Sequence, residues 1–193
     1  MRIVVELLVV LFVGLGLGGV ISWQTLRENQ GFGAVNVGPW TAWPKAGSAE
    51  ADPYTDARVA ADGDVPLGAA EGISFTAETS GDGQILRRQC AYRLSGKLPS
   101  SGFWAVTATG VSGEALLDRT GNPSALTSAL ASYGSDGSID IIARSELSSG
   151  NWLPVEGSGP FLLNMRLYDT PVTSMSTVIE LQMPDITLIG CKT

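Results

Sequence analysis

Four carboxylates in this chain stand where acid–base chemistry could be done: Glu71, beside Gly72 at the mouth of a strand, with Asp52, Asp136 and Asp169 as companions. Glycoside hydrolysis needs such a pair, one group to protonate the leaving oxygen and the other to act as base or nucleophile. The ordinary role of a carboxylate at a strand end, a cap or an ion pair, weighs more heavily for Glu71, with Arg166 as its partner. Arg166 and Tyr168 share one face of the segment Phe161–Tyr168. A guanidinium there suits a carboxylate or a pair of sugar hydroxyls, and a core ion pair is the plainer of the two uses. Asn151 and Trp152 form a second group, read as a turn, with Trp104 on a strand. An aromatic face beside an amide can stack on a sugar ring, although tryptophans of β domains more often serve the core. The candidates are therefore binding residues, Glu71, Arg166, Tyr168, Asn151 and Trp152, and no catalytic residue is assigned.

What is missing narrows the chemistry further. The 193 residues include no histidine. That removes the commonest general base and metal ligand, and every Ser-His or Cys-His nucleophile. Neither a Gly-x-Ser-x-Gly elbow, a phosphate loop nor a dinucleotide fingerprint occurs. Asp62-Gly63-Asp64 and Ser80-Gly81-Asp82-Gly83 lack the spacing of a calcium-binding hand and read as turns, so neither a metal nor a cofactor is expected. Twelve basic residues against nineteen acidic ones give a net charge of −7. With its bases scattered, such a chain repels phosphate backbones, and nucleic acid is not an expected partner.

The elements that must position these residues begin with an apolar run, Ile3–Trp23, broken by Glu6 and Ser22 alone. As a helix it spans roughly 30 Å, the thickness of a bilayer's hydrocarbon core. It contains a Gly14/Gly18 small-residue pair of the kind found where membrane helices meet. One offset arginine and no small-x-small site favour an uncleaved anchor over a signal peptide. Residues 1–23 are read as a transmembrane anchor and 24–51 as a juxtamembrane lead-in whose Trp40 and Trp43 pack on the domain. Residues 52–193 are read as one domain. Asp52 as N-cap, Pro53 in the first turn and Gly63 as the stop predict a short helix.

From Gly72 the period changes to two. Ile73, Phe75 and Ala77 alternate with polar residues, and Ser80–Gly83 turns into a return strand bearing Leu86, Arg88, Cys90, Tyr92 and Leu94 on one face. Phe103–Thr107, an extended Pro123–Tyr133, Ile139–Ala143 and a central strand over Phe161–Tyr168 follow. Asn151–Pro154 is the turn that launches that central strand. Val178–Leu181 and Ile186–Ile189 are edge strands about Pro184. Eight or so short strands argue for a mainly β, β-sandwich or jelly-roll-like domain with one short helix, preceded by a single transmembrane helix. Cys90 and Cys191 are too far apart for a zinc or Cys-x-x-Cys motif, and a disulfide between them is expected in an oxidising compartment.

A set of short motifs in order carries a resemblance: Gly38-Pro39-Trp40, Asp52-Pro53-Tyr54, Pro66-Leu67-Gly68 with Glu71-Gly72, Cys90-x-Tyr92, Phe103-Trp104, Asp136-Gly137-Ser138, Gly150-Asn151-Trp152-Leu153-Pro154 and Arg166-Leu167-Tyr168. Together they resemble the bacterial family catalogued as domain of unknown function 1214, in its short membrane-anchored form. The resemblance implies a sandwich of jelly-roll type, an envelope location and frequent company with a sister domain of unknown function. It implies no activity and no catalytic residues. The expected function is that of a membrane-anchored periplasmic domain with a non-catalytic binding or scaffold role in the cell envelope. The expected location is the bacterial inner membrane, single-pass, with an envelope protein or glycan as partner. The alternative is a glycan-active hydrolase or lyase using a carboxylate pair that includes Glu71.

Overall fold

The structure, a computed structural model, describes residues 2–28, 33–62, 65–68, 70–171 and 181–192. The expected helix stop at Gly63, the Asp64 turn and most of Val178–Leu181 lie outside the described residues. Helix α1 (Arg2–Glu28) is exposed over residues 2–24, and its segment Arg2–Gln24 is long and apolar enough to cross a membrane. Helix α2 (Pro53–Asp62) starts where its capping chemistry places it. Asp52 Oδ1 accepts the backbone N–H of Tyr54 at 3.0 Å and of Thr55 at 3.1 Å, two of the donors that a helix start leaves without internal partners.

Among the described residues, ten strands form two sheets. Strands β1 (Val35–Val37), β2 (Trp40–Ala42), β3 (Gly72–Ala77), β9 (Leu162–Tyr168), β5 (Phe103–Thr109) and β6 (Ala125–Thr127) make a six-stranded antiparallel sheet in that order. Strands β10 (Asp185–Cys191), β4 (Cys90–Gly96), β7 (Ile139–Arg144) and β8 (Asn151–Pro154) make the second sheet in that order. Period-two alternation buries one face of each. Phe75, Leu163, Met165, Leu167 and Val106 come from the first sheet, and Leu94, Ile141, Leu153 and Ile186 from the second. They meet in one core. The expected central strand is β9, hydrogen-bonded to β3 on one side and β5 on the other.

The sheet begins upstream of residue 52, because β1 and β2 extend it through Trp40↔Ala77. Trp40 is fully buried and donates its indole N–H to the Pro184 carbonyl at 2.7 Å, joining the first sheet to the start of β10. Two expectations need correction. Ser80–Gly83 does turn the chain, but the return extends only to the Thr79↔Ile85 bridge before the chain crosses into the second sheet as β4. Asn151–Pro154 is no turn. It is strand β8, parallel to β7, with Leu153 fully buried. Pro154 reads as a breaker, yet β8 is an edge strand, where a missing N–H leaves no ladder bond unmade.

The tight turns share one construction. In Ser80–Gln84, Gly110–Glu114, Asp118–Asn122 and Gly134–Ser138, the first residue's N–H bonds the fifth residue's carbonyl. The fourth, a glycine, bonds back to the first. Those glycines, at positions 83, 113, 121 and 137, have φ of 81°, 83°, 84° and 78°, which side chains rarely adopt.

A candidate binding face

Because β9 is central, its outward residues Leu162, Asn164, Arg166 and Tyr168 lie on the middle of the six-stranded sheet, all half-buried. The register supplies their neighbours. Tyr168 stands between Gly72 and Phe103, Arg166 between Ser74 and Ala105, and Asn164 between Thr76 and Thr107. Thr76 donates its hydroxyl to Asn164 Oδ1 at 3.0 Å, and Asn164 Nδ2 donates to Thr109 Oγ1 at 2.8 Å. One row further out, Thr41 donates to Asn36 Oδ1 at 2.8 Å. Tyr168 and Phe103 form the aromatic end of the face, with ring centroids 5.8 Å apart and planes tilted by 48°.

Past that end the ladder closes on Glu71 and Asp169. The N–H of Asp169 donates to the Glu71 carbonyl at 3.1 Å, so these residues face each other one step beyond Gly72↔Tyr168. Asp169 has a φ of 48°, a left-handed conformation that Asp tolerates better than most residues. Gly102 holds it there by donating its N–H to the carbonyls of Tyr168 and Asp169, each at 3.0 Å. The Glu71 side chain is exposed and accepts the Gly68 N–H at 3.4 Å. Gly72 is needed for closeness, since a Cβ there would run into the Leu167 carbonyl of β9.

The structure thus brings Glu71 and Tyr168 to one end of the central strand, with Arg166 one outward position behind. Of the carboxylates considered beside Glu71, Asp169 alone adjoins it in the ladder. Asp52 caps α2, and Asp136 is bound into its own turn by the N–H and hydroxyl of Ser138. Both carboxyls are held below the usual range, chiefly by hydroxyl donors, Thr55 for Asp52 and Ser138 for Asp136.

Asn151 and Trp152 lie in the other sheet. Asn151 is buried. Its amide donates to the carbonyls of Ser132 at 2.7 Å and Asp140 at 3.1 Å while its Oδ1 accepts the Ser132 N–H at 2.7 Å. It fastens the loop before β7 to β8. Trp152 donates its indole N–H to the Arg144 carbonyl at 3.0 Å. Trp104, inward-facing and buried, donates to the Tyr133 hydroxyl at 3.0 Å.

The outward face of the second sheet is built differently. Arg93 grips Asp140 through two parallel bonds, Nε–Oδ1 at 2.8 Å and Nη2–Oδ2 at 2.5 Å. Beyond β7, Glu146 binds both Arg144, at 2.8 Å, and Lys192, at 2.5 Å. Hydrogen bonds and charge from Lys192 first, then Arg144, lower the Glu146 carboxyl to about 2. A depression of about 230 Å³ lies here, lined by Cys90, Arg144, Glu146, Ile189, Cys191 and Lys192 among others. None of the residues singled out for binding lines it. The Cys90–Cys191 disulfide sits at its edge, joining directly opposed residues of β4 and β10. Among the described residues no cluster of His, Cys, Asp and Glu could hold a metal ion.

Sequence reasoning missed the partners of Asn164, namely Thr76, Thr107 and Thr109, and the pairing of Phe103 with Tyr168. The alternation Phe-x-Ala-x-Thr-x-Thr over residues 103–109 was the available signal, since it leaves an uncharged set facing outwards.

Fold and sites together define an N-terminal apolar helix followed by a disulfide-bonded β-sandwich. The family model described as "Protein of unknown function (DUF1214)" matches residues 71–172, and the chain belongs to that family. The VPA0106 protein of Vibrio parahaemolyticus has a similar fold, at a TM-score of 0.57 and 22% identity, covering 71% of this chain and 35% of that one. A putative uncharacterized protein from Burkholderia cenocepacia aligns at a TM-score of 0.41 and 18% identity, over 73% of this chain and 44% of that one. The chain therefore spans about a third of the length of the Vibrio protein. No curated protein matches it.

Proposed function

We propose that this protein is a membrane-anchored binding domain of the bacterial envelope, held by α1 in the inner membrane with its sandwich in the periplasm. Its role in this reading is to bind or scaffold an envelope component without transforming it. One observation carries the binding role: the outward residues of β3, β5 and β9 are hydroxyls, an amide, two aromatic rings, the apolar Ala105 and Leu162, and a single charge, Arg166. A solvated sheet face ordinarily carries mixed charges, as the second sheet does. A wide neutral polar face is suited to an uncharged partner surface. Glu71 stands in solvent beside Asp169, whereas the acid of a glycosidase is sheltered in an apolar pocket. The periplasmic placement draws support from the Cys90–Cys191 bond, since disulfides persist in oxidising compartments.

Labelling tests the placement. A cysteine substituted for the exposed Val111 should react with a membrane-impermeant maleimide in spheroplasts, while Cys90 and Cys191 stay unreactive until reduced. Labelling that appears only after lysis would overturn it. Incubation of the purified full-length protein with peptidoglycan should release no new reducing ends, and steady release lost in Glu71→Gln would replace binding by hydrolysis.

A further inference from the structure

We infer that the ligand of this face is an uncharged glycan chain lying along β9, from the Phe103–Tyr168 rings to the Asn164 cluster. This deepens the binding reading above and rests on it. Tyr168 lies four residue steps from Asn164, a length of about 13 Å along an extended strand, enough for a few linked sugar rings. At one end Phe103 is 39% exposed, and it leans on Tyr168. A sugar presents a C–H face that packs on such a ring while its hydroxyls point elsewhere.

At the other end the hydrogen-bonding capacity exceeds what the sheet itself uses. A carboxamide has two N–H donors and an oxygen with two lone pairs. Asn164 uses one donor on Thr109 and one lone pair on Thr76. That leaves one of each. Thr76 has given its hydroxyl proton and keeps its acceptor sites, whereas Thr109 has accepted one bond and keeps its proton. The cluster can therefore both give to and accept from the same ligand, which is what a sugar hydroxyl requires. Between the two ends Arg166 stands on β9, flanked by the small side chains of Ser74 and Ala105, so a chain laid along the strand would pass over its guanidinium stem.

Charge selects among glycans. The chain carries −7 overall, yet no carboxylate occupies an outward position of β3, β5 or β9. A site for a cationic polymer would gather acids, and one for an anionic polymer would gather several bases. This face does neither. Recognition is assigned to the neutral groups.

The test is a calorimetric titration of the full-length protein, in micelles of a detergent without a sugar headgroup, with chitohexaose as the neutral probe. De-N-acetylated hexamer and oligogalacturonate serve as the cationic and anionic probes. Chitohexaose should bind saturably and at least tenfold more tightly than either charged probe. Phe103→Ala and Thr107→Val should each weaken it several-fold, and Asn164→Leu tenfold or more. Arg93→Ala, on the other sheet, should leave it unchanged. Should Asn164→Leu fail to fold, the exposed Phe103 substitution still decides. Absence of saturable binding, equal binding of all probes, or indifference to the face substitutions would overturn the glycan assignment. A protein cross-linked to the face of a protein that ignores chitohexaose would also overturn it, while leaving the binding role in place. Shortening of the probe would instead overturn the non-catalytic role and leave the glycan assignment standing.

Discussion

The two outward faces of this sandwich spend their polar groups differently. On the four-stranded sheet, charges pair with one another: Arg93 with Asp140, and Glu146 with Arg144 and Lys192. On the six-stranded sheet, Thr76, Asn164 and Thr109 form a neutral chain with bonding capacity left over, next to two aromatic rings. Ion pairs on a wet surface satisfy themselves and contribute little stability. A neutral, incompletely used polar face offers groups to something else. On the proposed reading the binding function belongs to the six-stranded sheet and a mainly solubilising role to the other.

Gly72→Ala puts a Cβ into the Leu167 carbonyl and should part β3 from β9, so the neutral face loses its middle. Denaturant unfolding is expected to report a loss of about 3 kcal/mol. Cys191→Ser acts on the opposite sheet. Thr187 through Lys192 are all exposed, so the last half of β10 is held by its ladder bonds and the disulfide rather than by core burial. Removing the bond should cost about 2–4 kcal/mol and raise hydrogen exchange in β10 before any other strand.

Smaller effects sharpen the contrast. Asn164→Ala removes two neutral hydrogen bonds and should cost about 1–2 kcal/mol, independent of salt. A double-mutant cycle on Arg93 and Asp140, whose side chains are about half exposed, should give under about 1 kcal/mol, shrinking as salt is added. Acid should act on the charged side. Glu146 is lowered from 4.5 to about 2 in the folded protein, so its contribution is complete above 4.5 and is lost as pH falls towards 2. Asp140, lowered by Arg93, adds in the same direction. Melting curves between pH 6 and 2 should show Glu146→Gln flattening that loss.

Much of this architecture was legible in the chain. Strict alternation over Phe161–Tyr168 identified β9 and its buried face, since period two is what a strand with one wet side requires. Asp52-Pro53 located α2 by its chemistry, and the lone cysteine pair identified its own bond. Other features depend on long-range pairing that local signals do not carry. Asn151-Trp152-Leu153-Pro154 looked like a turn because Pro154 hides an edge strand, and Ser80–Gly83 looked like a full hairpin although β4 leaves for the other sheet. Trp40 and Trp43 suggested a packed arm, but only the register shows that residues 35–42 are sheet strands. For the candidate site, Arg166 and Tyr168 were visible as a pair on one face. Their setting was not, since Thr76, Phe103 and Thr107 reach them only through β3 and β5.

The central claim is that the six-stranded face binds and the four-stranded face does not. A photoreactive benzoylphenylalanine placed at Thr107, on the first face, and separately at Ile142, on the second, tests it in intact cells. A discrete envelope adduct is expected from position 107 and none from position 142. Adducts from 142 alone, or equally from both, would contradict it.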